Sequence, residues 1–148
     1  YIKRLIGMPG DTIQFVGGEI KINNRTIKKS KVRSNDTVRC GSQTLEVDFY
    51  NETLPNGLTY TAAYNKYGTM QNSDKYIVPI DHYFFLGDNR DCSKDSRFLT
   101  SVGYVPKFNL VGKAKIIFFS NDTLKGSFLK FWNWQNSLRF ERFFKILK

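Results

Sequence analysis

Polar and apolar residues alternate along several short stretches of the chain, as they do in half-buried β-strands. These strand-like stretches are residues 12–16, 19–22, 44–47 and 58–61. Turn signals separate them, and the clearest are Pro9-Gly10, Gly17-Gly18, Asn23-Asn24 and Asn56-Gly57. The pattern therefore predicts a chain built of strands, which begins with a meander over residues 1–27.

Three stretches depart from this alternation. Residues 83–86 are apolar throughout, which predicts a strand buried on both faces. Residues 110–119 predict a long closing strand. Near the C-terminal end, apolar residues recur at the spacing i, i+3, i+4, i+7, which predicts a short amphipathic helix. Its members are Phe140, Phe143, Phe144 and Leu147.

Together these elements predict an all-β fold class: an antiparallel sheet core, a second and smaller β lobe, and a short C-terminal amphipathic helix. We assign the core to residues 1–27 and 77–123, an inserted and less regular lobe to 28–76, and a basic aromatic tail to 124–148. The apolar content of 41% is sufficient for a packed core.

The formal net charge is +10, which favours polyanionic partners, either nucleic acid or an anionic membrane surface. We interpret the basic cluster within residues 21–39 as a solvated face. The tail joins basic residues to Trp132 and Trp134, a composition typical of an element in a membrane interface. A terminal helix that covers the open end of the sheet is the alternative.

The cysteine and histidine content predicts no metal ion and no cofactor. Cys40 and Cys92 lie far apart, have no CxxC partner and indicate no disulfide framework. Cys92 has no evident histidine partner, and we interpret it as an ordinary thiol. His82 is the only histidine, which we assign to a strand edge, so a zinc site would lack ligands.

Two segments carry unusual side-chain chemistry: YIKRLIGMPGD at residues 1–11 and GDNRDCSKDSR at residues 87–97. Lys3 and Arg4 point to opposite faces of a strand, so one of the two cations is directed into an apolar layer. A desolvated lysine loses its proton readily and can then act as a general base. A serine hydroxyl from the second segment, Ser93 or Ser96, can orient the amine.

The charged residues of the second segment are expected to hold it rigid. Arg97 can pair bidentately with an aspartate of the same segment, at position 88, 91 or 95. Arg4 can join the two segments through Asp88, and Gly87 allows close backbone approach beside the lysine. The plainer alternative is a surface loop whose charge pairs contribute little.

Both segments resemble the signature boxes of bacterial type I signal peptidases. That family carries Y-I-K-R-x-I/V-G-x-P-G-D and later G-D-N-R-D-x-S-x-D-S-R, and the GYVP and NLVG stretches at 103–106 and 109–112 also match its pattern. The resemblance implies an all-β fold with a catalytic core and a second lobe. It also implies a serine endopeptidase that uses a Ser–Lys mechanism without a cofactor.

The resemblance implies a role for each matching residue. Lys3 is the implied general base, and Ser93 is the residue that orients it. Tyr1 and Ile2 lie on the strand edge expected to pair with a substrate peptide by β-addition. The remaining matches form an implied ion-pairing scaffold of Arg4, Gly87, Asp88, Asn89, Arg90, Asp95 and Arg97.

Members of this family cleave signal peptides from exported pre-proteins, typically after Ala-X-Ala, on the extracytoplasmic side of the bacterial cytoplasmic membrane. The implied partners are signal peptides and the membrane lipid surface, without nucleic acid. The family's nucleophilic serine and membrane-spanning helices precede the lysine strand. We therefore expect a fragment that carries the base and is inactive alone. Two alternatives stay open: a basic OB-like module that binds nucleic acid, and a signal peptidase homologue that does not cleave.

Overall fold

The computed structural model describes residues 1–120 and 138–147. The chain divides into two compact units, Tyr1–Val111 and Gly112–Lys148. The strands of the first unit are β1 (Arg4–Gly7), β2 (Thr12–Val16), β3 (Glu19–Ile22), β4 (Arg25–Thr26), β5 (Lys28–Cys40), β6 (Gln43–Thr53), β7 (Thr59–Asn65), β8 (Tyr76–Ile77), β9 (His82–Leu86) and β10 (Val105–Pro106). Two short 3-10 helices accompany them, Arg90–Cys92 and Lys107–Asn109.

The strands of the first unit form three sheets with the strand orders β1-β9-β10, β4-β3-β2-β8 and β5-β6-β7. Neighbouring strands within each sheet are antiparallel. This confirms the predicted all-β, antiparallel class. The opening stretch is a meander only from β2 onwards, because β1 pairs with the distant β9.

The predicted turns are present and use the backbone geometry that their residues favour. Gly10 has a φ of +87°, and the Asp11 amide donates to the Met8 carbonyl at 3.0 Å, as in a type II turn. Asn23 and Asn24 have φ values of 51° and 64° in the hairpin between β3 and β4. These turns set the register of the sheets that carry the core.

The apolar core of the first unit draws on all three sheets. Ile13 and Phe15 of β2, Phe84 of β9, and Tyr60 and Tyr64 of β7 belong to one buried cluster. The segment expected to form a less regular lobe therefore shares this core. It also contains the two longest strands, β5 and β6, of 13 and 11 residues.

Two strand predictions were wrong. Residues 83–86 were expected to be buried on both faces, but only Phe84 and Leu86 are buried, while Tyr83 and Phe85 stay partly exposed. The long closing strand over 110–119 is also wrong, because within that stretch only Ile116–Ile117 is a strand. Apolar composition alone does not show whether a second layer covers a sheet face.

The second unit contains β11 (Ile116–Ile117), a 3-10 helix (Phe140–Arg142) and β12 (Lys145–Ile146), and β11 pairs antiparallel with β12. The amphipathic helix predicted over residues 140–147 is therefore wrong. Phe144 has a φ of 55°, which a helix does not allow, and its amide donates to the Ile117 carbonyl. Trp132 and Trp134 lie outside the described residues. Among those that are described, no helix has the length and apolar character needed to cross a membrane.

Candidate active site

The two signature segments, residues 1–11 and 87–97, meet at the end of the β1–β9 pair. Arg4 lies opposite Leu86 in the antiparallel register, so Lys3 lies next to Gly87, where the polar segment 87–97 begins. The Lys3 Nζ donates a hydrogen bond to Ser93 Oγ at 2.8 Å. Both side chains are partly buried. An amine and a hydroxyl 90 residues apart are thereby held in direct contact.

Gly87 makes this contact possible because its backbone lies against Ser93. A Cβ atom at position 87 would lie 2.1 Å from Ser93 Oγ, 2.4 Å from Ser93 Cβ and 3.4 Å from Lys3 Nζ. No side chain fits at such distances, so a glycine is required by the close approach.

An ion pair fastens β1 to the polar segment. Arg4 Nε and Nη2 donate to the two carboxylate oxygens of Asp88 at 2.7 and 2.8 Å, a bidentate arrangement. The hydrogen bond to Asp88 raises the pKa of Arg4 against the opposing effect of burial. The Arg4 guanidinium also lies over the Tyr60 ring, 3.9 Å from its centroid. The residue that follows Lys3 is thus fixed from two sides.

A second ion pair fixes the polar segment from within. Arg97 Nε and Nη2 donate to the carboxylate of Asp95 at 2.8 and 2.9 Å, and the Gly87 amide donates to the same carboxylate at 2.9 Å. Burial acts to raise the pKa of Asp95, but hydrogen bonds and the charge of Arg97 outweigh it, so the net pKa lies below its usual value. Of the three aspartates that the sequence left open for Arg97, the structure selects Asp95.

The structure also separates the two candidate serines. The Ser96 side chain is buried and accepts a hydrogen bond from the Phe85 amide at 2.9 Å, so it stabilises the segment against β9. Ser93 is the hydroxyl in contact with Lys3.

A buried cluster below the segment was not predicted. Arg90 is 1% exposed and Glu52 of β6 is fully buried, and Arg90 Nη2 donates to Glu52 Oε2 at 2.7 Å. Tyr60 and Tyr64 of β7 both donate their hydroxyls to the Glu52 carboxylate. The sequence indicated Arg90 only through the family motif. The alternation around Glu52 gave no sign that a carboxylate faces the core.

Comparison with known proteins agrees with the two signature segments. The sequence model described as "Signal peptidase, peptidase S26" matches residues 1–119. The chain belongs to the signal peptidase family.

Named relatives extend this result over the whole chain. Signal peptidase I of Rickettsia akari (strain Hartford) is 41% identical over 99% of this chain, and signal peptidase I of Rickettsia prowazekii (strain Madrid E) is 40% identical over 99%. The chain spans 59% of the length of each relative. A crystal structure of a signal peptidase I from Enterococcus faecalis V583 is 27% identical, with a TM-score of 0.40 and coverage of 76% of this chain and 80% of that one.

In this signal peptidase family member, the interpretation of Cys92 as an ordinary thiol was wrong. Cys40 and Cys92 form a disulfide across 52 residues, with their Cα atoms 5.4 Å apart. Cys40 ends β5 at the tip of the β5–β6 hairpin, and folding brings that tip onto the polar segment. Cys92, next to Ser93, is therefore a crosslink and not an ordinary thiol.

The remaining motif residues of the signal peptidase boxes take different positions. Tyr1 and Ile2 are exposed and precede β1, which begins at Arg4 rather than at Tyr1. Asn89 forms an isolated parallel bridge with Ala63, and its Oδ1 is buried without a hydrogen-bond partner in the described part of the chain. Within residues 1–120 and 138–147, no group of three or more histidine, cysteine or acidic residues is placed to hold a metal ion.

Proposed function

We propose that the chain is the catalytic region of a signal peptidase I, a serine endopeptidase that removes N-terminal signal peptides from exported pre-proteins. The observation that carries the proposal is the 2.8 Å contact between Lys3 Nζ and Ser93 Oγ beside Gly87. Family membership supports this function over the alternative of an OB-like module that binds nucleic acid.

In the proposed mechanism Lys3 is the general base. Its uncharged amine takes the proton of a serine hydroxyl, which attacks the scissile carbonyl, and the resulting ammonium then gives the proton to the leaving amine. In the family that serine precedes the lysine strand. Ser93 acts as the orienting hydroxyl, because its contact with Lys3 Nζ fixes the direction of the amine.

The fold offers an edge for an extended peptide. β1 is an edge strand of the sheet β1-β9-β10, and the exposed residues Tyr1 and Ile2 continue it towards its N-terminal side. A peptide added to this edge would make main-chain hydrogen bonds next to Lys3. We assign Tyr1 and Ile2 to binding of the signal peptide on this ground.

We propose that the region works on the extracytoplasmic side of the bacterial cytoplasmic membrane. The Cys40–Cys92 disulfide supports this location, because disulfides persist in oxidising compartments and are rare in the cytosol. The basic aromatic tail at 124–148 is proposed to contact the membrane lipid surface.

The test measures cleavage of a pre-protein with an Ala-X-Ala site by the full-length polypeptide, including any residues encoded before Tyr1. Lys3→Ala should lower kcat by about 10²–10⁴-fold, the range typical of a general base. Lys3→Arg should be equally inactive, because a guanidinium keeps the positive charge but does not release its proton. Lys75→Ala, at an exposed lysine, is the matched control.

The cleavage rates of the Lys3 variants and of wild type distinguish between the possible roles of Lys3. Undiminished cleavage by Lys3→Ala refutes the base assignment. Full activity of Lys3→Arg shows that charge, not proton transfer, is needed at this position. A wild-type protein that binds the signal peptide without cleaving it supports the alternative of a non-catalytic homologue.

A further inference from the structure

Glu52 is a fully buried carboxylate that lies outside both signature segments. Its Oε2 accepts hydrogen bonds from Tyr60 Oη and Arg90 Nη2, both at 2.7 Å, and its Oε1 accepts from Tyr64 Oη. Burial raises the pKa of Tyr60 and of Tyr64, so both hydroxyls stay protonated and donate to the carboxylate at neutral pH. Three donors from two further parts of the chain therefore converge on one side chain.

Stability alone is a poor reason for such a cluster. Removing two charges from water has a large free-energy cost, and apolar side chains of similar volume often stabilise a fold equally well. Arg90 Nε is also buried without a hydrogen-bond partner among the described residues. An incompletely paired arginine is therefore held in place at a cost, which suggests that its position matters.

One arm of the cluster reaches Ser93. The Arg90 carbonyl accepts a hydrogen bond from Arg97 Nη2, and Arg97 holds the Asp95 carboxylate. Asp95 in turn accepts from the amide of Gly87, which packs directly against Ser93. A displacement of Arg90 is therefore expected to displace the Ser93 hydroxyl, because the contacts that join them are buried and charge-assisted.

The other arm reaches Lys3. Tyr60 Oη accepts a hydrogen bond from Arg90 Nη2 at 2.9 Å, while the Tyr60 ring lies under the Arg4 guanidinium. Arg4 directly follows Lys3 and is fixed to Asp88. Lys3 and Ser93 are therefore both connected to the same buried cluster through their neighbouring residues.

Resting on the function proposed above, we infer that Glu52 is a positioning residue: it fixes Arg90 and Tyr60 and, through them, the alignment of Lys3 with Ser93. Glu52 touches neither the substrate nor the reacting atoms.

The experiment compares Glu52→Asp and Glu52→Gln with wild type in the full-length polypeptide. Glu52→Asp keeps the charge but draws it back by one methylene, and Glu52→Gln keeps the shape but removes the charge. Because a misplacement of about 1 Å can cost up to 100-fold, we expect kcat to fall by about tenfold or more while KM changes little. Glu46→Asp and Glu46→Gln, at an exposed glutamate of the same strand, are the matched controls.

A double-mutant cycle with Ser93→Ala separates positioning from general destabilisation. If Glu52 acts through the Lys3–Ser93 contact, Glu52→Asp should lower kcat much less in the Ser93→Ala background than in wild type. A residue that only stabilises the fold would give the same fold-reduction in both backgrounds. Urea unfolding of each variant shows that it is folded under the assay conditions.

Several results overturn the inference. The inference fails if folded Glu52 variants have the wild-type kcat. It also fails if the effects of Glu52→Asp and Ser93→Ala on kcat are additive in the double-mutant cycle. Failure of both variants to fold makes Glu52 a folding residue only. If wild type itself does not cleave, the proposed function fails separately. A crystal structure of Glu52→Asp then decides the positioning role by whether the Lys3 Nζ–Ser93 Oγ contact is lost or kept.

Discussion

Replacing Gly87 with alanine adds one methyl group at the contact on which the proposed mechanism depends. The new Cβ would lie 2.1 Å from Ser93 Oγ and 2.4 Å from Ser93 Cβ. Non-bonded carbon atoms settle at about 3.5–4.0 Å, so Ser93 must move by roughly 1 Å. Rotating the hydroxyl does not relieve the clash with Ser93 Cβ, and the main chain of the segment has to shift.

The expected effect is larger on catalysis than on stability. Overpacking of this kind costs about 1–3 kcal/mol in the free energy of unfolding. A displacement of about 1 Å in a group that aligns the base can lower kcat by about 100-fold. KM should change little, because the proposed peptide-binding edge of β1 is the edge that faces away from β9.

The assay is cleavage of a pre-protein by the full-length polypeptide at saturating substrate, together with urea unfolding. Gly112→Ala is the matched control, because a Cβ at that position meets no atom within 4 Å. An unchanged kcat for a folded Gly87→Ala variant would refute the proposal that catalysis requires Ser93 in its position against the Gly87 backbone.

Two further predictions concern stability. The pKa of Asp95 is lower in the folded chain than its ordinary 3.8, so the carboxylate stabilises the fold above that pH, and this contribution is lost as the pH falls through the lower folded pKa. Asp95→Asn should therefore be less stable than wild type at neutral pH, and its urea midpoint should fall less on acidification; equal acid dependence of the two would contradict this. Cys40→Ser should lower the free energy of unfolding by about 4 kcal/mol, because the Cys40–Cys92 disulfide closes a loop spanning 52 residues. The same variant should show no response to dithiothreitol, whereas an unfolding midpoint equal to that of oxidised wild type would contradict the prediction.

The sequence predicted the contacts of the signature segments because those segments lie at strand ends. The apolar run before Gly87 indicated that a strand delivers the polar segment, and the alternation of Lys3 and Arg4 separated their directions. The expected contacts of Lys3 with Ser93 and of Arg4 with Asp88 are both present. The pairing of β1 with β9 does not follow from alternation, and the sequence did not predict it. The family resemblance supplied the choice of Ser93 over Ser96 as the partner of Lys3.

The sequence did not predict what lies below the segment. Glu52 and Arg90 are 38 residues apart, and an acidic residue in an alternating strand is expected to face water. The disulfide was missed because only the folded β5–β6 hairpin brings Cys40 to Cys92. The aromatic spacing of the tail matched a helix, but pairing of β12 with β11 determined the backbone instead.

The density of charge in residues 87–97 follows from how each aspartate is paired. Asp88 binds Arg4, Asp95 binds Arg97, and the Asp91 carboxylate accepts from the Asn65 amide at 2.7 Å. Because every aspartate of the segment already has its own donor, the polar atom that Lys3 meets is the neutral hydroxyl of Ser93. The same contacts that make the segment rigid therefore also leave Ser93 Oγ as the hydrogen-bond partner of Lys3 Nζ.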